Sequence, residues 1–116
     1  MLAWLQRLLG RGSTAEPTWL EAGELRRRLG RGEQSLIVDV RGPDEFDGPL
    51  GHIDGALNVP LAALPSHIQE IRRAGDPIVL VCLTDKRSAQ AATQLAEAGV
   101  RGVSVLRGGM QAWRRE

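Results

Sequence analysis

Short apolar runs are the first pattern that stands out along the chain. Nearly continuous runs of this kind are typical of strands that are buried on both faces of a sheet. They predict strands at 35–40, 56–59, 78–81 and 103–106, with a further short strand at 18–20.

Between these runs, apolar residues recur at the spacing of a helix that buries one face. The pattern predicts helices at 21–29, 66–73 and 88–98, and a last short helix after Gly108 and Gly109. Gly30 and Gly99 follow two of these segments directly and fit the position where helices commonly stop. The segment 41–55 is rich in Gly, Pro and Asp and is predicted to be irregular.

The alternation of strands and helices indicates the fold class. It predicts an α/β domain with a mostly parallel central sheet of about five strands and with helices on both faces. In sheets of this kind ligands bind at the carboxyl ends of the strands.

The N-terminal segment has a pattern of its own. Leu2, Leu5 and Leu9 are at helical spacing, so residues 1–17 are predicted to form an amphipathic helix and a linker, and residues 18–116 the main domain. The segment is shorter than the ~20 apolar residues that span a membrane, and Arg7 interrupts it. Membrane contact is not expected, and self-association is a candidate role for the helix.

Composition and charge narrow the function classes. The 116 residues carry a net charge of +1 and the basic residues are scattered, so no nucleic-acid partner is expected. The single cysteine, Cys82, excludes an internal disulfide. A free thiol is typical of a reducing compartment, and we expect a cytoplasmic protein.

Cys82 is the main candidate for chemistry. It follows the apolar run 78–81, and a short loop and a predicted helix come after it. Unpaired N–H groups and the positive end of the helix dipole favour a thiolate there, as do the cations Lys86 and Arg87. The alternative is that Cys82 is a small buried hydrophobic residue. Neither a metal nor a cofactor is expected.

Four segments, in order, resemble the rhodanese-like sulfurtransferases. They are the strand LIVDVR at 36–41, the loop GPDEF at 42–46 with GHIDGALNVP at 51–60, the strand and loop VLVCLTDKRS at 79–88, and LRGGMQAW at 106–113. One such motif would be weak evidence, and four in the right order are strong.

The resemblance implies a sulfurtransferase. Cys82 would take a sulfane sulfur from a small donor, thiosulfate or a persulfide, and pass it to cyanide or a thiol, with a protein thiol as a further candidate acceptor. The backbone N–H groups of Leu83, Thr84, Asp85 and Lys86 would form an anion-binding cradle. Arg87 would close this loop, with a carboxylate of the scaffold as a candidate partner.

The remaining candidate residues are given supporting roles. The resemblance implies that Asp39 and Arg41 hold the scaffold together near the site. His52 is interpreted as structural, and His67 is expected on a helix surface. At Leu83 many members of the family have a cation, and at Asp85 often a glycine. The Asp85 carboxylate is expected to oppose an anionic donor such as thiosulfate.

Loop length separates the alternatives within this fold. The spacing C-x4-R, from Cys82 to Arg87, is that of the sulfur-transferring members. Phosphatases and arsenate reductases of similar fold have a cradle that is one residue longer and wider. A non-catalytic binding module is the other alternative, although inactive copies commonly lack the cysteine.

Overall fold

The computed structural model describes residues 17–75 and 77–115. Its strands are β1 (Thr18–Leu20), β2 (Leu36–Asp39), β3 (Leu57–Asn58), β4 (Ile78–Val81) and β5 (Val103–Leu106). Its α-helices are α1 (Ala22–Gly30), α2 (Pro43–Phe46), α3 (Ile68–Ala74), α4 (Lys86–Glu97) and α5 (Gly109–Arg115), and a 3-10 helix at Leu61–His67 precedes α3.

The strands form one five-stranded sheet in the order β1-β5-β4-β2-β3. Every neighbouring pair of the described strands is parallel. The predicted fold class is therefore confirmed. Strand β4 lies at the centre of the sheet, so whatever follows its carboxyl end is surrounded by the loops of its neighbours.

Both faces of the sheet are covered, which explains the continuous apolar runs. On one face Val79 and Val81 pack in a core with residues of α1 and α5. On the other face Leu80 and Cys82 pack in a core with residues of α3 and α4. Because successive side chains of a strand point to opposite faces, every residue of β4 has to be apolar.

Several predicted boundaries were wrong. Strand β3 has only two residues, and a short helix, α2, lies inside the segment that was predicted to be irregular. Pro43 starts α2, where the missing N–H of a proline does no harm. Of the helix predicted at 66–73, only Ser66 and His67 lie in a 3-10 helix, which contains Pro65. The rest is the α-helix α3, which begins at Ile68.

The helix after Cys82 begins at Lys86 and not at Ser88. Asp85 is its N-cap residue, and aspartate at this position is a common signal for a helix start. Lys86 and Arg87, which were assigned to the loop, are therefore the first two residues of α4.

The predicted N-terminal helix lies outside the described residues, as does all but the last residue of the linker. In the part of the chain that the structure describes, no helix is long and apolar enough to cross a membrane.

Candidate active site

Cys82 lies directly after the central strand β4 and is 1% exposed. Its sulfur has two polar neighbours, both from Ser88, the third residue of α4. The Ser88 N–H donates to Sγ at 3.4 Å, and the Ser88 hydroxyl oxygen is 3.3 Å from Sγ. The sulfur is therefore at the start of a helix, where donors and the helix dipole favour a negative charge.

The loop between the cysteine and the helix exposes a set of backbone donors. Residues 17–75 and 77–115 contain many backbone hydrogen bonds in turns, loops and helix caps. None of these is donated by the N–H groups of Leu83, Thr84, Asp85, Lys86 and Arg87. Successive N–H groups of this kind can bind an anion. Leu83 to Lys86 were predicted to form the cradle, and Arg87 to close it. All five residues follow β4 and Cys82 directly in the chain.

The carboxylate of Asp85 is held on one side of the loop. Its Oδ2 accepts a hydrogen bond of 2.9 Å from the N–H of Gly108, in the turn between β5 and α5. It forms no side-chain cap with the N–H groups of α4, although Asp85 is the N-cap residue. Asp85 therefore connects the cysteine loop to the turn between β5 and α5. This role was not predicted from the sequence.

The first residues of α5 also hold the loop through their backbone. Met110 N–H donates to the carbonyl of Cys82 at 2.9 Å, and Gln111 N–H donates to that of Leu83 at 3.1 Å. Gly109 has φ +55° and lies so close that a Cβ would overlap the carbonyl oxygens of Cys82 and Thr84. The second glycine of the last motif is thus explained by its contact with the cysteine loop, whereas a Cβ on the first, Gly108, would overlap Ala112 within α5.

Arg87 is paired with Glu45 of α2. The two guanidinium nitrogens donate to the two carboxylate oxygens at 2.7 and 2.9 Å. These hydrogen bonds lower the pKa of Glu45 to about 2, with a smaller contribution from the N–H of Gly42. They also raise the pKa of Arg87 above its ordinary value. The contribution of this pair to the free energy of unfolding is therefore complete above pH 4.5 and is lost as the pH falls from there towards about 2.

Asp39 and Arg41 form a second, fully buried ion pair beneath the first. Arg41 Nη2 is 2.8 Å from Asp39 Oδ2, and both side chains are 1% exposed. Arg41 also donates to the carbonyls of Glu45 at 3.1 Å and Gly51 at 2.7 Å. These contacts fix the segment that carries Glu45, so the second pair supports the partner of Arg87.

The other polar candidates lie apart from the sulfur. Lys86 is exposed at the start of α4. His52 stacks on Phe46 with the ring centroids 3.6 Å apart, and His67 makes a 2.9 Å hydrogen bond with the carbonyl of Ala63. Among the described residues, no group of three or more His, Cys, Asp and Glu side chains could hold a metal ion.

The fold and the cysteine loop can be compared with known proteins. The family model of the rhodanese-like domain matches residues 21–116, which is most of the chain. The chain belongs to this family. The family assignment agrees with the resemblance found in the four sequence motifs.

Individual relatives of the rhodanese-like chain differ in length. The uncharacterized protein YqhL of Bacillus subtilis is 42% identical over 80 residues, covering 69% of this chain and 61% of YqhL. The sulfurtransferase of Allochromatium vinosum is 36% identical, covering 83% of this chain and 87% of that protein. The structure of the human single-domain sulfurtransferase TSTD1 superposes with a TM-score of 0.69 at 32% identity, covering 86% of this chain and 96% of that one. The chain thus spans less than two thirds of YqhL.

Arg87→Ala is expected to lower turnover by Cys82 more than Lys86→Ala does. Arg87 holds Glu45 through two hydrogen bonds, whereas Lys86 is exposed and acts as a flexible point charge. Steady-state kinetics of the two variants with the same donor and acceptor measure the difference. Equal losses would show that Arg87 acts only as a local charge.

Proposed function

We propose that this rhodanese-like domain is a sulfurtransferase that works through a persulfide on Cys82. The observation that carries the proposal is the setting of the sulfur. It lies at the end of the central strand, accepts a hydrogen bond from Ser88 N–H and is followed by a loop of free N–H groups. The names of the Allochromatium and human relatives, both sulfurtransferases, support the same reaction class.

The reaction needs two displacements and no external oxidant or reductant. In the first, the Cys82 thiolate attacks the sulfane sulfur of the donor, a new S–S bond forms, and the donor's leaving group departs with the electron pair. In the second, a thiolate or cyanide attacks the outer sulfur, the S–S bond breaks, and the electron pair returns to Sγ. The N–H groups of Leu83 to Arg87 stabilise the charge of the outer sulfur between the two steps.

Each supporting residue has a role in holding this loop. The pair of Arg87 and Glu45 braces it from α2, and Asp39 with Arg41 holds α2 in place. Asp85 and Gly109 fix it from the side of α5. The six-residue loop favours a single sulfur atom over a phosphoryl group, which needs the longer cradle of phosphatases.

The charge of the loop bears on the donor. The charge of Arg87 is paired with that of Glu45, and the side chain of Asp85 adds a negative charge to the loop. Position 83 is a leucine and supplies no cation. The exposed Lys86 offsets Asp85, so attraction for the dianion thiosulfate is weak, and a thiol-bound persulfide is the donor that fits better.

Intact-mass spectrometry of the protein after incubation with a sulfur donor tests the proposal. We expect a gain of one sulfur atom with a low-molecular-weight persulfide, less gain with thiosulfate, and loss of the added sulfur when cyanide or a thiol is supplied. A protein that gains no sulfur from any donor would instead be a binding module. Hydrolysis of an aryl phosphate without sulfur gain would favour the phosphatase alternative.

A further inference from the structure

We propose that Ser88 is a second catalytic residue, whose hydroxyl stabilises negative charge on the Cys82 sulfur and so promotes release of the bound sulfur. This inference rests on the proposed function. It assigns a chemical task to a side chain that was not among the predicted site residues.

The first observation is the isolation of the Ser88 hydroxyl. Ser88 is 0% exposed, and its Oγ lies 3.3 Å from Cys82 Sγ. In the described part of the chain this sulfur is its only hydrogen-bond partner. A buried hydroxyl is costly unless it is hydrogen-bonded. A thiol sulfur is a weak acceptor, and a thiolate is a strong one. The hydroxyl therefore gains most when Sγ is negatively charged.

The second observation is the geometry of the two donors on one residue. The N–H and the hydroxyl of Ser88 both reach Sγ, at 3.4 and 3.3 Å. The N–H is fixed by α4, which begins two residues earlier. Both donors are in place before any reaction, so little reorganisation is needed when charge develops on the sulfur.

The charge on Sγ changes during the reaction, and this gives Ser88 its effect. In the persulfide, Sγ is neutral and the outer sulfur carries the charge. When the acceptor attacks the outer sulfur, the S–S bond breaks and the electron pair moves to Sγ. Ser88 thus binds the transition state for discharge more strongly than it binds the persulfide, which is the condition for catalysis.

Ser88→Ala tests this role, because it removes the hydroxyl and keeps the N–H. We expect discharge of a preloaded persulfide to cyanide, in a single turnover, to slow by about tenfold, which corresponds to ~1.4 kcal/mol. The persulfide should then accumulate during steady-state turnover, as intact mass will show. Thr93→Ala is the matched control, since it removes a hydroxyl of the same helix that donates to the Ala89 carbonyl. It should discharge at the wild-type rate.

Alkylation of the unloaded protein by iodoacetamide gives a readout that a purely structural role would not move. Ser88→Ala should react more slowly than wild type near neutral pH, because less thiolate is present. At high pH the sulfur is fully ionised in wild type and in Ser88→Ala. The variant should then react at least as fast as wild type, since a less stabilised thiolate is more nucleophilic.

The outcomes separate this inference from the proposed function. Wild type that takes up no sulfur overturns the proposed function, and the alkylation profiles then decide whether Ser88 stabilises the thiolate. Superimposed profiles for wild type and Ser88→Ala, or unchanged discharge, overturn the role of Ser88. Equally slow discharge in Thr93→Ala would also overturn the role of Ser88, since the effect would then come from a general change in α4.

Discussion

Cys82→Ser is expected to abolish sulfur transfer while the fold remains intact. Cys82 provides the only thiol of the chain, so no other side chain can carry the persulfide. A serine oxygen is a far weaker nucleophile and forms no persulfide. Removal of a nucleophile commonly costs several orders of magnitude in turnover, and we expect a loss of at least ~10³-fold.

Turnover to cyanide, measured beside thermal unfolding, checks this prediction. Serine is close to cysteine in size and can keep the contact with Ser88, so the unfolding temperature should change little. Measurable turnover by a folded Cys82→Ser protein would mean that donor and acceptor react directly on the surface. In that case the covalent mechanism is wrong.

Gly109→Ala is expected to disrupt the site almost as severely, although residue 109 carries no functional group. At φ +55° a side chain is strained by ~1–2 kcal/mol, and overpacking adds roughly 1–3 kcal/mol. The new Cβ would overlap two backbone carbonyls of the cysteine loop, those of Cys82 and Thr84. Backbone cannot rotate away as a flexible side chain can, so the loop has to shift.

Urea unfolding and single-turnover kinetics of the same variant measure the two consequences. We expect the free energy of unfolding to fall by about 2–5 kcal/mol, the sum of these two terms. We also expect turnover by the folded fraction to fall by about 10²-fold, the effect of a misplacement of ~1 Å.

Gly99→Ala is the matched control for Gly109→Ala. Gly99 also has positive φ, +79°, but a Cβ there would meet nothing within 4 Å. The free energy of unfolding of Gly99→Ala should fall by only the ~1–2 kcal/mol of backbone strain, and turnover per folded molecule should equal that of wild type. Equal losses of stability and turnover in Gly109→Ala and Gly99→Ala would show that the close approach of α5 to the cysteine loop does not affect function.

The framework of the protein could be predicted from the sequence alone. The apolar runs predicted where the five strands lie, and the clearest of them became β4, which is apolar at every position because it is buried on both faces. The order of strands and helices predicted a parallel sheet. It also placed Cys82 at a carboxyl end, where ligands bind in such sheets. The motif resemblance then supplied the family, which the family match confirmed.

A local signal for the start of α4 was present in the sequence and was missed. Aspartate before a run of helix formers often marks an N-cap, and Asp85 is in that position. The side chain does not cap the helix, and its Oδ2 accepts a hydrogen bond from Gly108 N–H instead. The local pattern could thus have placed the start of α4 at Asp85, but it could not have given the partner of the carboxylate.

The contacts that hold the cysteine loop could not be predicted from the sequence. Arg87 and Glu45 are 42 residues apart in the chain, and Asp85 and Gly108 are 23 apart. Ser88 is close in sequence, yet its contact with Sγ depends on how α4 leaves the loop. Hydrophobic periodicity reports which face of an element is buried. It contains no information on the backbone path that brings two distant polar groups within 3 Å, because that path is set by the packing of the helices on the whole sheet.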